Sequence, residues 1–131
     1  MSRQERLPTS AAATDLTARF FTGLADPTRL RIVEALLERP HTVGEIVARL
    51  GLRQARVSNA LICLKWCGYV EARREGRYVW YRVSDPRIRD LVDLARTVMA
   101  DHAAQIACCT RLDASGPPLS AGDDALRSAG A

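Results

Sequence analysis

The stretch TVGEIVARLGLRQARVSNALICLKW, residues 42–66, predicts two short helices joined by a tight turn. Thr42 suits the N-cap of the first helix, and Gly51 suits its end because glycine tolerates a left-handed backbone. The second helix carries Val57, Leu61 and Leu64 at helical spacing, so these side chains should face a core. Two short helices across such a turn form the helix-turn-helix pattern.

A basic β-hairpin is predicted directly after this pair of helices. Residues 69–85, YVEARREGRYVWYRVSD, alternate between apolar and polar side chains in two runs. Glu75, Gly76 and Arg77 supply the turn, with Gly76 able to take a positive φ. A hairpin in this place is a wing, and the predicted fold class is therefore mainly α with a small β-hairpin, a winged helix-turn-helix.

Further helices are predicted on both sides of this unit. One runs from Thr14 to Leu24, and a second follows Asp26, a good N-cap, with Pro27 in its first turn. A last helix opens at Pro86 and carries a long apolar stripe: Ile88, Leu91, Val92, Ala95, Val98, Met99, Ala103 and Ile106. The stripe exceeds what a small winged domain needs, which predicts a homodimer through the first and last helices. The alternative is that the stripe only covers the monomer core.

The length of 131 residues fits one domain. Residues 1–13 are expected to form a flexible arm, residues 14–110 the domain, and residues 111–131, rich in Gly, Pro, Ala and Ser, a flexible tail. No run of 18 apolar residues and no signal-peptide core is found. A cytoplasmic protein without a membrane partner is expected, with its cysteines reduced.

Positive charge is concentrated in the predicted helix-turn-helix and wing. The chain has a formal net charge of +4, whereas residues 53–82 hold seven basic side chains against Glu71 and Glu75. This distribution favours double-stranded DNA as the partner. The alternative is an ordinary solvated face.

The second helix of a helix-turn-helix reaches base edges with its first residues. Gln54 and Asn59 carry amides that can pair with adenine, and Arg56 can pair with guanine. Arg53 and Ser58 are expected to hold phosphates, and Arg77 lies at the wing tip. The full predicted DNA-binding set is Arg53, Gln54, Arg56, Ser58, Asn59, Lys65, Arg73, Arg74 and Arg77.

Four cysteines form two close pairs in the sequence, Cys63 with Cys67 and Cys108 with Cys109. Residues four apart on a helix project side by side, so the first pair can share one soft ion. Thiolates without a well-placed imidazole favour Cd(II), Pb(II), Hg(II), As(III) or Sb(III) as the bound ion. Two alternatives stay open: buried cysteines acting as small apolar side chains, and a redox disulfide, which is awkward within one helix.

The stretches GLADPTRLRIVEALL (residues 23–37) and VSNALICLKWCGYVEARREGRYVWYRV (residues 57–83) resemble the ArsR/SmtB family of metal-responsive repressors. The resemblance covers about residues 16–105. It implies a homodimer that binds inverted-repeat operator DNA and releases it when an inducer binds. The sequence has no nucleophile–base constellation, no phosphate loop and only two histidines, so no enzyme and no organic cofactor are expected.

The cysteines of this chain narrow the resemblance to one branch of the family. A C-x-C near the first helix of the helix-turn-helix is absent, and the last helix offers only Asp101 and His102 of an Asp/His site. Cys63 and Cys67 resemble the C-x-x-x-C of the CmtR-type cadmium- and lead-sensing branch, in which a C-terminal cysteine completes the site. The resemblance implies that Cys108, Cys109 or both are ligands, from the same or the other subunit.

The predicted function is therefore a repressor that leaves operator DNA when Cd(II), Pb(II) or Hg(II) binds its cysteine thiolates. Two alternatives remain. One is an As(III)- or Sb(III)-responsive repressor that uses the same cysteines, and the other is a thiol redox-sensing repressor.

Overall fold

The computed structural model describes residues 10–109. These residues divide into two compact units, with the boundary between Asp85 and Pro86. Helix α1 begins at Ser10, four residues before the predicted start at Thr14. The predicted tail 111–131 and residues 1–9 of the predicted arm lie outside the described residues.

The first unit contains the helix-turn-helix and the wing. Its elements are α1 (Ser10–Leu24), α2 (Pro27–Glu38), α3 (Val43–Leu50), α4 (Gln54–Trp66), β1 (Val70–Glu75) and β2 (Tyr78–Val83). The predicted fold class is confirmed in this order of helices and in the two-stranded antiparallel hairpin.

Local capping chemistry sets the ends of these helices. Asp26 caps α2, with its side chain accepting from the Arg29 amide at 2.9 Å. Thr42 and Glu45 form a reciprocal capping box at the start of α3, with bonds of 3.2 and 3.0 Å. Gly51 ends α3 in the left-handed conformation, at φ 65°. The predicted caps at Asp26, Thr42 and Gly51 are confirmed.

The core of the first unit joins the inner faces of α2, α3 and α4 to the start of the wing. Its buried apolar residues are Ile32, Val33, Ala35, Leu36, Ile46, Val57, Ala60, Leu61, Leu64, Tyr69 and Val70. The predicted inward set of Val57, Leu61 and Leu64 is confirmed. Full burial of each large aliphatic side chain contributes about 1.5–3 kcal/mol, so α4 is held firmly by its inner face.

A buried histidine attaches the wing to the loop between α2 and α3. His41 exchanges two backbone hydrogen bonds with Tyr81, of 3.0 and 2.8 Å. Its ring lies within hydrogen-bond distance of the Arg39 carbonyl (2.8 Å) and of the Arg49 guanidinium (3.3 Å). This connection places the hairpin beside the helix-turn-helix.

The hairpin pairs from Val70 opposite Val83 to Glu75 opposite Tyr78. Gly76, at φ 63°, occupies the turn as predicted. Glu71 and Arg82 form an ion pair of 2.5 Å across the two strands.

The second unit contains α5 (Arg87–Asp101) and a short α6 (Ala103–Ala107). The predicted long last helix is thus interrupted at His102, where φ is −125°. Ile88 and Val92 are buried, while the apolar side chains of Leu94, Val98, Met99 and Ile106 are exposed. Within residues 10–109, no helix combines the length and the apolar character needed to cross a membrane.

Candidate nucleic-acid interface and thiol pair

The outer face of α4 carries the side chains predicted to read DNA. Arg53, Gln54, Arg56 and Asn59 are exposed and Ser58 is half-buried, while Val57 beside them is buried. The first turn of α4 contains no acidic residue, and among residues 10–109 no side chain makes a capping hydrogen bond to it. The positive end of the helix is therefore left to interact with an anion from outside the chain.

The basic residues of the wing differ in how they are engaged. Arg73 pairs with Glu75 at 3.9 Å, and Arg74 donates to the Gly76 carbonyl at 3.4 Å. Arg77 is exposed at the turn and makes no hydrogen bond or ion pair with residues 10–109. Among the predicted wing contacts, Arg77 is the side chain whose charge is most available to DNA.

The structure brings the first cysteine pair together. Cys63 in α4 and Cys67, directly after its end, are free thiols and both are half-buried. Burial raises the pKa of Cys67, and the neighbouring Cys63 thiol raises it further through charge and a hydrogen bond, against a smaller opposite effect of Arg29. Two thiolates side by side are thus unfavourable without a cation, which a shared soft ion would provide.

Cys67 also lies against the end of α1. A Cβ atom at Gly23 would come within 3.0 Å of the Cys67 sulfur and 2.9 Å of Tyr69 Cε2. Only glycine permits this approach without a shift of these neighbours. Sequence analysis missed the contact, because no spacing rule relates Gly23 to a cysteine so far along the chain.

Tyr69 completes the connection between the thiol pair and α1. Its ring stacks on Phe20 at 4.5 Å between centroids, and its hydroxyl donates to the Phe20 carbonyl at 2.7 Å. Burial raises the pKa of Tyr69 far above its usual value, with a smaller contribution from Cys67. The hydroxyl therefore remains a hydrogen-bond donor at any physiological pH.

The second cysteine pair follows α6. Cys108 is exposed and Cys109 is half-buried. Across the part of one chain that the structure describes, no group of three or more His, Cys, Asp or Glu side chains could hold a metal ion. The predicted ligand roles of Cys63, Cys67, Cys108 and Cys109 remain predictions.

An exposed apolar patch lies on α4 beside the thiol pair. The Trp66 side chain is 88% exposed and Ile62 is 56% exposed. Together with Lys65 they line a shallow depression. Sequence analysis did not single out Trp66.

Comparison with known proteins identifies the family of this chain. Residues 26–72 match the model of the bacterial regulatory proteins of the arsR family. The probable mercury resistance operon repressor of Streptomyces lividans is 52% identical over 102 residues, which cover 78% of this chain and 82% of that protein. The chain belongs to the ArsR family.

Other relatives of this ArsR-family protein are also transcriptional regulators, and a solved relative has the same winged helix-turn-helix fold. The transcriptional regulator CmtR of Mycobacterium tuberculosis is 44% identical over 100 residues, covering 76% of this chain and 84% of that protein. The solution structure of a homodimeric winged helix-turn-helix DNA-binding domain from Mycobacterium bovis matches with a TM-score of 0.65 at 32% identity. That match covers 80% of this chain and 92% of the other. The family consists of transcriptional regulators, which confirms the prediction that the chain is not an enzyme.

Proposed function

We propose that this ArsR-family protein is a homodimeric repressor that leaves its operator DNA when a thiophilic metal ion binds Cys63 and Cys67. One observation carries the proposal: the half-buried thiols of Cys63 and Cys67, close enough for Cys63 to raise the pKa of Cys67, lie at the end of the helix whose first turns present Arg56 and Asn59 outward. The similarity to a probable mercury resistance repressor and to a homodimeric DNA-binding domain supports it.

The sulfur donors of the cysteines limit which ions can act as the inducer. Thiolates bind soft ions in preference to Mg²⁺ or Ca²⁺, so the inducer class is Hg(II), Cd(II) or Pb(II), with As(III) and Sb(III) as alternatives on the same sulfurs. Cys108 and Cys109 are the proposed source of further thiolates, from the same subunit or its partner. Arg29 assists ionisation, because it acts against the rise in the pKa of Cys67.

The contacts of Cys67 suggest how ion binding changes DNA affinity. Because its sulfur lies against Gly23, a shift of Cys67 acts on the end of α1. The same shift acts on Tyr69, whose hydroxyl is bonded to Phe20. Rearrangement here alters the orientation of α4 relative to α1, which in a dimer changes the spacing of the two reading helices. A coupling of about 1–3 kcal/mol between the ion and DNA is typical of such regulation.

Release of operator DNA in a fluorescence anisotropy assay tests this function. Wild-type protein on labelled operator is titrated with Hg(II), Cd(II), Pb(II), arsenite, antimonite and Zn(II). The variant Cys63→Ser should bind the operator with unchanged affinity and should not be released by the ion that releases the wild type. Normal release of Cys63→Ser would overturn the proposed thiol site.

Two further arms complete the experiment. Cys108→Ser and Cys109→Ser are titrated with the same ions, separately and together. A variant that is no longer released from the operator identifies a thiol that takes part in release. The redox alternative rests on the same pair of free thiols, Cys63 and Cys67. Loss of two titratable thiols and of DNA binding after peroxide, with no response to any ion, would favour it.

A further inference from the structure

Thr28, in the first turn of α2, has a buried side-chain hydroxyl that makes no hydrogen bond within residues 10–109. The residue is only 4% exposed, yet its hydroxyl makes no hydrogen bond to any part of the chain that the structure describes. Most buried polar side chains in proteins are hydrogen-bonded, as His41 is here. A buried hydroxyl without a partner among residues 10–109 is therefore available to a ligand.

The backbone of the same turn adds a second donor. Pro27 has no N–H group, and the Arg29 amide is taken by Asp26. The first intrahelical bond starts at the Leu30 amide, which donates to the Asp26 carbonyl at 2.9 Å. The Thr28 amide thus has no partner among residues 10–109, so Thr28 offers an N–H and an O–H from one residue.

These donors lie in a cleft between α2 and α4. The cleft is lined by Asp26, Thr28, Arg29, Arg56, Asn59 and Ala60, with a volume of about 220 Å³. Two guanidinium groups outweigh the one carboxylate, and that carboxylate is already bonded to the Arg29 amide. The Arg29 guanidinium donates to the neutral carbonyls of Gly23 and Thr22, so its charge is not neutralised by them.

We propose that this cleft binds one phosphate group of the operator backbone. Thr28 donates its amide and hydroxyl to the phosphate oxygens, and Arg56 adds charge from α4. The N-terminus of a helix favours an anion, and phosphate contacts of this kind fix the register of a protein on the duplex.

The inference rests on the proposed function and changes one role within it. Arg56 and Asn59 stand on the face of α4 that carries the other predicted DNA contacts, so the phosphate that reaches the cleft is one of the DNA backbone. Arg56 then holds a phosphate, whereas the sequence predicted that it pairs with guanine. Its contribution to binding becomes independent of the base sequence.

The variant Thr28→Val tests the proposal, because valine keeps the branched shape and removes the hydroxyl. A hydrogen bond to a charged group is lost, so affinity for operator and for a random duplex should both fall by about tenfold or more. The thermal stability of the free protein should be unchanged or higher, since no protein partner is lost. Thr22→Val is the matched control: its exposed hydroxyl is bonded to the Ala18 carbonyl, and DNA affinity should not change.

Neutral methylphosphonates placed singly along the operator identify the phosphate. At one position in each half-site, the wild type should lose about tenfold in affinity and Thr28→Val should lose little more. The proposal is overturned if Thr28→Val binds both duplexes as tightly as the wild type, or if its loss adds to that of every methylphosphonate.

A separate arm distinguishes DNA from a small anion. Inorganic phosphate at constant ionic strength is added to the free protein and the melting temperature is followed. Stabilisation that disappears in Thr28→Val, without coupling to any methylphosphonate, would assign the cleft to a free anion and overturn the operator assignment. Failure of the wild type to bind any duplex would overturn the proposed function together with this inference.

Discussion

Cys67 and Gly23 are in contact, with only 3.0 Å between the cysteine sulfur and the place where a Cβ of residue 23 would lie. A shift of this sulfur towards α1, the sulfur proposed to bind an inducer, would therefore press on the end of that helix. Through this contact, a change at the thiol pair can be passed to the end of α1. A substitution at Gly23 tests whether the contact matters for the metal response.

The variant Gly23→Ala should weaken both the fold and the response to metal. Its methyl group would meet Tyr69 Cε2 at 2.9 Å and the Cys67 sulfur at 3.0 Å, so both must shift. Overpacking of this kind costs about 1–3 kcal/mol, partly offset by the better helix propensity of alanine. Urea unfolding gives the stability, and metal titration on labelled operator gives the response.

Gly44→Ala is the matched control for this experiment. The nearest atom to its new methyl group is Thr42 Oγ1 at 3.9 Å, an ordinary contact. Its free energy of unfolding should stay the same or rise by up to about 1 kcal/mol, with normal metal response. Equal behaviour of the two variants would show that the contact of Gly23 with Cys67 has no role.

Affinity for the inducing ion should increase with pH. The pKa of Cys67 is raised, so near neutral pH its thiol is mostly protonated and the ion must displace the proton. Raising the pH towards the elevated pKa of the Cys67 thiol weakens this competition, so affinity should rise steadily with pH. Thiolate-to-metal charge-transfer absorption, titrated between about pH 6 and 9, measures it. A binding constant independent of pH would exclude these thiols as ligands.

Tyr69→Phe should separate the stacking of the ring from its hydrogen bond. The phenyl ring can keep its position on Phe20, while the bond from the hydroxyl to the Phe20 carbonyl is lost. A loss of about 0.5–1.5 kcal/mol in unfolding free energy is expected, together with a smaller effect of metal on DNA affinity. Tyr78→Phe, at an exposed ring, is the control. If Tyr69→Phe matches the control in both measurements, the bond from the Tyr69 hydroxyl to α1 has no role in stability or in the metal response.

Arg77→Ala should reduce the salt dependence of DNA binding. Each phosphate contact contributes about 0.9 to the slope of log K against log salt, so a dimer with two wing contacts should lose about 1.8. Arg73→Ala should lose less, because that guanidinium already faces Glu75 at 3.9 Å. Anisotropy titrations at several salt concentrations give both slopes. An unchanged slope for Arg77→Ala would place the wing tip away from DNA.

The parts of the fold that local chemistry determines could be predicted from the sequence. The caps at Asp26 and Thr42 depend on residues three positions apart, and the turn at Gly76 depends on one backbone angle. Helical spacing likewise placed Cys63 beside Cys67, although their role as ligands remains a prediction.

Contacts between distant segments could not be predicted in this way. The approach of Gly23 to Cys67, the bridge from His41 to Tyr81 and the buried Thr28 depend on how separate helices pack. The interruption at His102 also had no signal, because neither glycine nor proline marks it in the sequence.

The fluorescence of the exposed Trp66 indole can report ion binding without an added label. It precedes Cys67 in the chain and is open to solvent, so its emission depends on events at the neighbouring sulfur. A heavy ion held there should quench this fluorescence before any DNA is added. With Trp80→Phe to remove the other tryptophan, ion occupancy becomes readable in unlabelled protein, separately from operator release. The same sample can then show whether binding and release follow one titration curve or two.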